Sequence, residues 1–266
     1  MFKKAFAVLM VAALFLVLAP QGTFAASAVI GKSALDKGII TVNYTLAKDA
    51  AGLVRISKGD DKYDYPFIKG AQYPLQLGNG DYTVLIAESV SSNKYKVIAQ
   101  ETIALKMEKE NEVFLQSIPL IDWNKDTKAV LEAEQLTADA VTDTDKVAAL
   151  YTYMTTNFTY DHDKAETVEA SYIPNLDEAF DASKGICYDY ATIFAAMARS
   201  EGIPTRLVMG YEADAPDTYH AWNQVYLKDS DEWVTIDTTY DSVRVQGGES
   251  TPMFKDAADY TISKIY

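Results

Sequence analysis

One cysteine and two histidines are the only residues of their types in this 266-residue chain. Cys187, His220 and Asp237 follow one another in an order that suits acyl transfer by a thiol. In that chemistry a thiolate attacks a carbonyl carbon, an imidazole carries the proton, and a carboxylate fixes the imidazole tautomer. We therefore predict that these three residues form a catalytic triad.

Cys187 is predicted to lie in the first turn of a helix. Residues 188–201 place apolar side chains at helical spacing, and Asp181 or Ser183 is expected to cap the helix start. The partial positive charge of a helix N-terminus favours a thiolate, and its free N–H groups can face an oxyanion. Gly185 would leave room beside the thiol for a substrate backbone. The alternative interpretation is a buried, inert cysteine that only packs the core.

His220 and Asp237 are predicted to meet across a β-hairpin. Residues 220–227 and 233–237 have strand-forming sequences, and the polar segment 228–232 between them is short enough for a turn. Cross-strand neighbours have Cβ atoms about 5 Å apart, so the two side chains would be within hydrogen-bonding reach. His220 would then take the thiol proton while Asp237 stabilises the charged imidazole.

The second histidine, His162, lies among acidic residues in a predicted loop and is interpreted as a surface residue. Two histidines and one cysteine without metal-type spacing argue against a zinc site. The sequence also contains no calcium-binding loop motif. It therefore predicts no metal and no cofactor.

The first 25 residues have the pattern of a signal peptide. Lys3 and Lys4 precede the apolar run 5–19, small residues follow, and cleavage is expected after Ala25, with the segment 26–28 as a second option. An uncleaved anchor is the alternative, although about 20 apolar residues are needed to span a membrane. We expect a secreted or extracytoplasmic protein, at the cell surface or in the cell wall. A lone thiol is unusual in an exported protein, which favours a functional role for this cysteine.

Charge limits the partners that the chain can have. Removal of residues 1–25 would leave 22 basic and 38 acidic residues, a net charge of −16. Nucleic acids and anionic membranes are polyanions and repel such a surface. We expect no nucleic-acid partner and no stable membrane insertion after signal cleavage. The expected partner is a protein or peptide substrate, with a cell-wall peptide as one candidate.

The remaining chain is predicted to form two domains. Residues 26–118 contain β-branched and tyrosine-rich segments, with turn signals about every 8–15 residues. This pattern is typical of an all-β, sandwich-like domain. This half has neither cysteine nor histidine. Residues 119–266 mix helical and strand patterns and carry every candidate catalytic residue.

Two further helices are predicted in the second domain, at 127–138 and 145–156. Asp143 or Thr144 is expected to cap the second of them. Residues 157–180 are rich in Asn, Asp, Pro and Tyr and are predicted to form a loop.

Five blocks of the second domain carry a family resemblance. They are DEAF at 177–180, KGICYDYA at 184–191, GIPTRLVMGY at 202–211, YHAWNQVY at 219–226 and WVTIDTT at 233–239. In this order they resemble the bacterial transglutaminase-like domain, over about residues 120–245. That family commonly has proline after its aspartate, where this chain has Thr238.

The resemblance implies a papain-like α+β core, in which the helix with Cys187 packs on an antiparallel sheet that carries His220 and Asp237. It also implies reaction through a thioacyl intermediate. Water as acyl acceptor would make the protein a peptidase or deamidase, and an amine would make it a crosslinking enzyme. The alternative function is a non-catalytic cell-surface or cell-wall binding protein that keeps the fold.

The sequence does not identify both of the groups that would stabilise the oxyanion. The backbone N–H of Cys187 is one candidate donor, and the second donor has three candidates: Asn157, Tyr160 and Tyr172.

Overall fold

A computed structural model describes residues 29–91 and 94–266, together with the backbone of Phe15–Leu16. The predicted signal peptide, residues 1–25, lies outside the described residues except for those two. The described chain divides into two compact units between Pro119 and Leu120. The sequence places this division one residue earlier. No helix in the described part of the chain is long and apolar enough to cross a membrane.

The N-terminal unit consists of two sheets. The smaller sheet is antiparallel, in the order β2 (Ile30–Ala34), β3 (Ile39–Val42) and β6 (Gln72–Pro74). The larger sheet has the order β1 (Phe15–Leu16), β8 (Lys94–Leu105), β7 (Gly80–Ser91), β4 (Gly52–Lys58) and β5 (Asp61–Pro66), and only its β1–β8 pair is parallel. Two short 3₁₀ helices, Leu35–Lys37 and Glu110–Leu115, complete the unit.

Buried tyrosines join the two sheets of this unit. Tyr65 on β5 and Tyr73 on β6 are fully buried, and their rings pack edge to face with centroids 6.0 Å apart. The Nε2 atom of Gln76 donates a hydrogen bond of 2.7 Å to the Tyr65 hydroxyl, which satisfies that buried oxygen. The unit is therefore β-rich and sandwich-like, as the sequence predicts.

The C-terminal unit packs helices on one antiparallel sheet. The helices are α1 (Lys128–Leu136), α2 (Asp143–Asn157), α3 (His162–Thr167), α4 (Leu176–Ala182), α5 (Cys187–Ser200) and α6 (Thr238–Gln246). The sheet has the order β13 (Glu232–Ile236), β12 (Ala215–Leu227), β11 (Thr205–Glu212) and β14 (Tyr260–Ile265). Two short strands, β9 (Thr159–Tyr160) and β10 (Lys184–Gly185), pair in parallel. A 3₁₀ helix at Ala257–Asp259 precedes β14.

Helix α5 is the centre of this core because it is buried along almost its whole length. Ile193, Phe194 and Met197 have no exposed surface, and the helix packs against β11 and β12. Asn223 on β12 donates 2.9 Å and 3.1 Å hydrogen bonds to the carbonyl oxygens of Ala191 and Arg206, which ties helix to sheet. The prediction of an α+β core, with the cysteine helix on an antiparallel sheet, is confirmed.

Local details differ from the sequence predictions where short-range contacts decide them. The predicted loop 157–180 contains the short strand β9, helix α3 and the start of helix α4. Helix α2 begins two residues earlier than predicted, and Thr142 caps it by accepting a 3.0 Å bond from the Asp145 N–H. The Asp145 carboxylate in turn accepts a hydrogen bond from the Thr142 N–H, so the two residues form a capping box.

Candidate active site

Cys187 is the first residue of α5 and is half-buried. The residue before it, Ile186, is the N-cap, and its N–H donates 2.8 Å to Oδ2 of Asp189. The two predicted caps were wrong, because Asp181 belongs to α4 and Ser183 ends that helix in the left-handed conformation at φ 47°. The thiol therefore stands at a helix start that Asp189, from within the helix, stabilises.

Gly185 makes room for Asp189. A Cβ atom at this position would lie 2.6 Å from Cβ and 2.8 Å from Oδ2 of Asp189. The space beside the thiol is therefore filled by this carboxylate, and the predicted room for a substrate backbone is absent there. Glycine is needed at 185 for the helix cap to form.

Asp189 also holds in place the segment that precedes α4. Its side chain is almost fully buried and accepts a hydrogen bond from the Tyr172 hydroxyl. Lys164 on α3 lies 2.8 Å from Asp189 Oδ2 and donates 2.6 Å to the Tyr172 oxygen. One network thus joins α3, the segment after it and the start of α5.

His220 lies on β12 with 3% of its surface exposed. Its Nε2 atom is 2.7 Å from Oδ2 of Asp237, and the thiol of Cys187 lies close enough to contribute to raising the pKa of the imidazole. Since Asp237 occupies Nε2, the ring nitrogen left for the thiol is Nδ1. The structure therefore brings Cys187, His220 and Asp237 together in one chain of contacts.

Asp237 is fully buried and is the N-cap of α6, not the last residue of a strand. Its Oδ1 accepts 3.1 Å bonds from the N–H groups of Thr239 and Tyr240. Its Oδ2 accepts from His220 and from the Tyr260 hydroxyl at 3.2 Å. Four donors thus surround a carboxylate that has no access to solvent.

Burial and charge act in opposite directions on this pair. Burial alone would lower the pKa of His220, but the negative charge and hydrogen bond of Asp237, with a smaller part from Cys187, raise it above its ordinary value. Burial alone would raise the pKa of Asp237, but His220 and the surrounding donors lower it. Both shifts favour a charged imidazole beside a carboxylate.

Aromatic rings hold the imidazole plane. Tyr240, in the first turn of α6, stacks on His220 with centroids 4.3 Å apart and planes 10° apart. Trp222 lies on the same strand, two residues further on, with its ring centroid 6.0 Å away and nearly parallel. The ring of His220 therefore has little freedom to turn away from the thiol.

The thiol and imidazole open into a cleft of about 580 Å³. Its walls are mostly apolar and aromatic: Tyr160, Val168, Tyr172, Ile186, Tyr188, Met209, Tyr219, Tyr240 and Val243. Acidic side chains at Glu169, Glu212 and Asp214, with Arg244, contribute its charged groups. Such a cleft can exclude water from a bound acyl group while leaving one end open to an acceptor.

The three candidate oxyanion donors have different environments. Tyr160 lines the cleft, and burial followed by the charge of Cys187 raises its pKa, which keeps its hydroxyl protonated. The Tyr172 hydroxyl is committed to Asp189. Asn157 is exposed and donates 2.9 Å to the Tyr153 carbonyl. Tyr160 is the one of the three whose surroundings suit the role.

The second histidine is exposed at the start of α3, where its ring packs on Tyr160 with centroids 5.0 Å apart. No group of three His, Cys, Asp or Glu side chains within the described ranges is arranged to hold a metal ion.

Three contacts of the site have no counterpart in the sequence predictions: the stacking of Tyr240, the hydroxyl of Tyr260, and the network of Asp189 with Lys164. The sequence does contain a signal for the position of Tyr240. Asp237 is followed by a segment without strand alternation, which is typical of an N-cap and predicts a helix that begins just before Tyr240. Tyr260 reaches the site through β14, which pairs with β11 some fifty residues earlier in the chain.

Comparison with known proteins gives a family match over part of the chain. Residues 132–238 match the family model of the transglutaminase-like superfamily. Among curated proteins, the chain is 26% identical to the uncharacterized protein YebA of Bacillus subtilis (strain 168), over 60% of this chain and 23% of that relative. The chain thus spans under a quarter of the length of the relative it matches.

Solved structures show weaker likenesses. A candidate cysteine protease from Cytophaga hutchinsonii is 17% identical, with 86% of this chain and 82% of that chain covered and a TM-score of 0.43. The periplasmic domain of TgpA from Pseudomonas aeruginosa, bound to ethylmercury, is 16% identical, with 73% and 91% covered and a TM-score of 0.40.

Proposed function

We propose that this chain, whose residues 132–238 match the family model of the transglutaminase-like superfamily, is a cysteine-dependent enzyme that transfers the acyl group of an amide through a thioester on Cys187. The observation that carries this proposal is the chain of contacts from Asp237 through His220 to the thiol, at the wall of an apolar cleft. Nucleophilic catalysis by a thiol needs this set of groups in this order.

The first half of the reaction acylates the cysteine. The thiolate of Cys187, beside a protonated His220, attacks the amide carbonyl carbon and forms a C–S bond, while the π electrons move to oxygen. As the tetrahedral intermediate collapses, the C–N bond breaks and the nitrogen leaves with a proton from Nδ1 of His220. The products are a thioester and a free amine or ammonia.

The second half returns the enzyme to its starting state. Neutral His220 takes a proton from the acceptor, whose oxygen or nitrogen attacks the thioester carbon. The C–S bond breaks, the sulfur leaves as a thiolate, and His220 keeps the proton. Water as acceptor gives a carboxylic acid, which is peptidase or deamidase activity. A primary amine gives a new amide, which is crosslinking.

Two donors are proposed for the oxyanion of both intermediates. The first is the backbone N–H of Cys187, which belongs to the first turn of α5. The second is the hydroxyl of Tyr160, which lines the same cleft. Tyr160 is held by the β9–β10 pair, in which it lies opposite Gly185, two residues before the nucleophile.

We also propose that the enzyme acts outside the cytoplasm on a protein or peptide. Lys3, Lys4 and the apolar run 5–19 support export. The size and apolar walls of the cleft suit a peptide side chain near the reacting amide.

Alkylation of the thiol across a range of pH tests the proposal without knowledge of the substrate. A thiolate held by His220 is expected to react with iodoacetamide well below pH 7, and His220→Ala is expected to abolish that reactivity. His162→Ala is the comparison variant, since it removes the other histidine that lines the cleft and leaves the His220–Asp237 pair intact. If the wild-type rate follows that of an ordinary thiol, the proposal of an enzyme is wrong and a non-catalytic binding protein takes its place.

The acyl acceptor is identified in a second experiment. The protein is incubated with cell-wall peptides and with glutamine-containing proteins, with and without an added primary amine, and the products are weighed by mass spectrometry. Cleavage, ammonia release and amine incorporation give three different masses. Cys187→Ala, which lacks the nucleophile, is the background in each case.

A further inference from the structure

The C-terminal strand β14 carries a tyrosine into the site. We infer that Tyr260 is a positioning residue, whose hydroxyl holds the Asp237 carboxylate in the orientation that His220 needs. The inference rests on the proposed function, since it assigns a role within that reaction. Tyr260 lies 22 residues beyond the end of the family match at 238, so the matched segment does not include it.

Contacts on both sides fix Tyr260 in place. Its hydroxyl donates 3.2 Å to Oδ2 of Asp237, the same oxygen that is 2.7 Å from Nε2 of His220. Its ring packs against the buried Trp222, with centroids 4.9 Å apart. On the backbone side, Tyr260 pairs with Glu212 at the end of β11. The side chain therefore has its ring, its hydroxyl and its backbone all held.

A glycine on the neighbouring strand allows this close approach. The register of β11 with β14 shifts between Met209 and Gly210, and Gly210 then lies opposite Ile262. A Cβ atom on Gly210 would clash with the carbonyl oxygen of Thr261 and come within 2.9 Å of the Trp222 ring. Glycine at 210 thus lets β14 and Trp222 close together around the tyrosine.

The hydrogen-bond count at Asp237 explains why the hydroxyl matters. Each carboxylate oxygen accepts two bonds, Oδ1 from the Thr239 and Tyr240 amides and Oδ2 from His220 and Tyr260. Asp237 is fully buried, so the structure gives solvent no access to replace a lost donor. Without the Tyr260 hydroxyl, Oδ2 is held by His220 alone, and the orientation of the carboxylate then depends on the two amides at Oδ1.

The protonation states suit this role. Burial, followed by the charge of Asp237, raises the pKa of Tyr260, so its hydroxyl stays a donor at physiological pH. The hydrogen bond of Tyr260 is in turn one of the contributions that lower the pKa of Asp237. Titratable groups that interact with the charge of Asp237 come from five elements: Tyr151 on α2, Glu212 on β11, His220 on β12, Tyr240 on α6 and Tyr260 on β14.

Tyr260→Phe tests the inference, because it removes only the hydroxyl. We expect Cys187 alkylation near pH 6 to slow on the order of tenfold, as for the loss of one hydrogen bond to a charged group. We also expect the acid limb of the pH profile to move to higher pH, because Asp237 loses a donor that favours its ionised form. Tyr82→Phe is the matched control: it removes the hydrogen bonds of 3.0 Å and 2.6 Å that a buried tyrosine of the N-terminal unit donates to the carbonyl oxygens of Leu75 and Gly78, and it is expected to lower the melting temperature without moving the pH profile.

Nuclear magnetic resonance of ¹⁵N-labelled histidine provides a readout that needs no reactivity. The chain has two histidines, so a His162→Gln spectrum assigns both. In wild type we expect His220 to keep a proton on Nε2 across the neutral range, with its resonance far downfield. In Tyr260→Phe this resonance is expected to move upfield and broaden, while Tyr82→Phe leaves it in place.

Alkylation and the His220 resonance together separate the proposed function from the positioning role of Tyr260. A wild-type thiol of ordinary reactivity would contradict the proposed function, and the His220 resonance would still decide the role of Tyr260. An active wild type, with Tyr260→Phe unchanged in both pH profile and His220 resonance, would overturn the positioning role and leave the enzyme proposal standing.

Discussion

The Nε2 atom of His220 lies 2.7 Å from Oδ2 of Asp237, although the two residues are not opposite each other in the sheet. The last pair of the β12–β13 ladder is Asn223 with Ile236. Asp237 is one residue beyond that pair and His220 is three beyond it, so they meet diagonally. The contact forms because Asp237 leaves the strand and caps α6. One carboxylate therefore both starts a helix and orients the imidazole.

Two substitutions of Asp237 separate these roles. Asn is as good an N-cap as Asp, so Asp237→Asn is expected to keep α6. Its amide nitrogen would, however, donate to Nε2 of His220 and place the imidazole proton on Nδ1, towards the thiol. We expect turnover to fall roughly 10³–10⁴-fold, as for a triad in the wrong tautomer, with a small change in melting temperature.

Asp237→Ala is expected to lose the same activity and the cap as well. The free energy of unfolding should fall by about 1 kcal/mol for the cap alone, and further because the buried imidazole of His220 and the hydroxyl of Tyr260 lose their acceptor. The melting temperature and the turnover rate of both variants are measured and compared. Equal stability of Asn and Ala variants would show that the cap contributes nothing.

The pair should also make stability depend on pH in a defined window. The pKa of His220 is raised from 6.5, so its contribution is full below pH 6.5 and is lost as the pH rises through the raised value. The pKa of Asp237 is lowered from 3.8, so its contribution is full above pH 3.8 and is lost as the pH falls through the lowered value. The charged pair thus stabilises the fold most between pH 3.8 and 6.5.

A neutral pair of similar size provides the reference for this prediction. The free energy of unfolding is measured from pH 3 to 10 for wild type and for His220→Gln combined with Asp237→Asn. Wild type is expected to gain most relative to the double variant inside the window, by about 1–3 kcal/mol, and less on either side. A constant difference across the whole range would contradict the charged pair.

The helix and the hairpin that carry the candidate triad could be predicted from the sequence, because their patterns are local. Periodic apolar residues predict α5 with Cys187 in its first turn, and a short polar turn predicts the β12–β13 hairpin. The residues that close the site depend on the register of strands and on side-chain competition. Asp189 displaces the expected caps of α5 because it reaches back to the Ile186 N–H and because Gly185 leaves it space.

Long-range contacts set the limit of what could be predicted. The two short helices in 157–180 have no buried stripe long enough to show periodicity, and the Lys164 contact with Asp189 forms only when α3 folds against α5. Tyr260 reaches Asp237 through a strand that pairs across a bulge at Gly210. No spacing in the sequence encodes that pairing.

Tyr160→Phe distinguishes an oxyanion donor from a residue that activates the thiol. Loss of one oxyanion donor is expected to lower kcat roughly 10²–10³-fold. Iodoacetamide alkylation is expected to stay unchanged, because displacement of iodide at a saturated carbon develops no oxyanion. Both rates are measured on the same preparation.

Asn157→Ala is the control for that experiment, since its side chain is exposed and bonded to the Tyr153 carbonyl. It is expected to change neither rate. If Tyr160→Phe slows alkylation as much as turnover, Tyr160 acts on the thiol and the second oxyanion donor lies elsewhere.

Gly185→Ala should damage the start of α5 from the position next to its N-cap. The new Cβ would lie 2.6 Å from Cβ of Asp189, so Asp189 must move and release the Ile186 N–H. We expect the free energy of unfolding to fall by about 1–3 kcal/mol, as for other overpacked sites. Alkylation of Cys187 below pH 7 should fall too, because the first turn that carries the thiol shifts relative to His220. Gly247→Ala is the matched control, since Gly247 has right-handed helical angles of φ −75° and ψ −3°, and a Cβ there would meet carbonyl oxygens of α6 at 3.2 Å and 3.3 Å and no atom of α5. A Gly185→Ala protein with wild-type melting and alkylation would mean that Asp189 is not what holds the helix start.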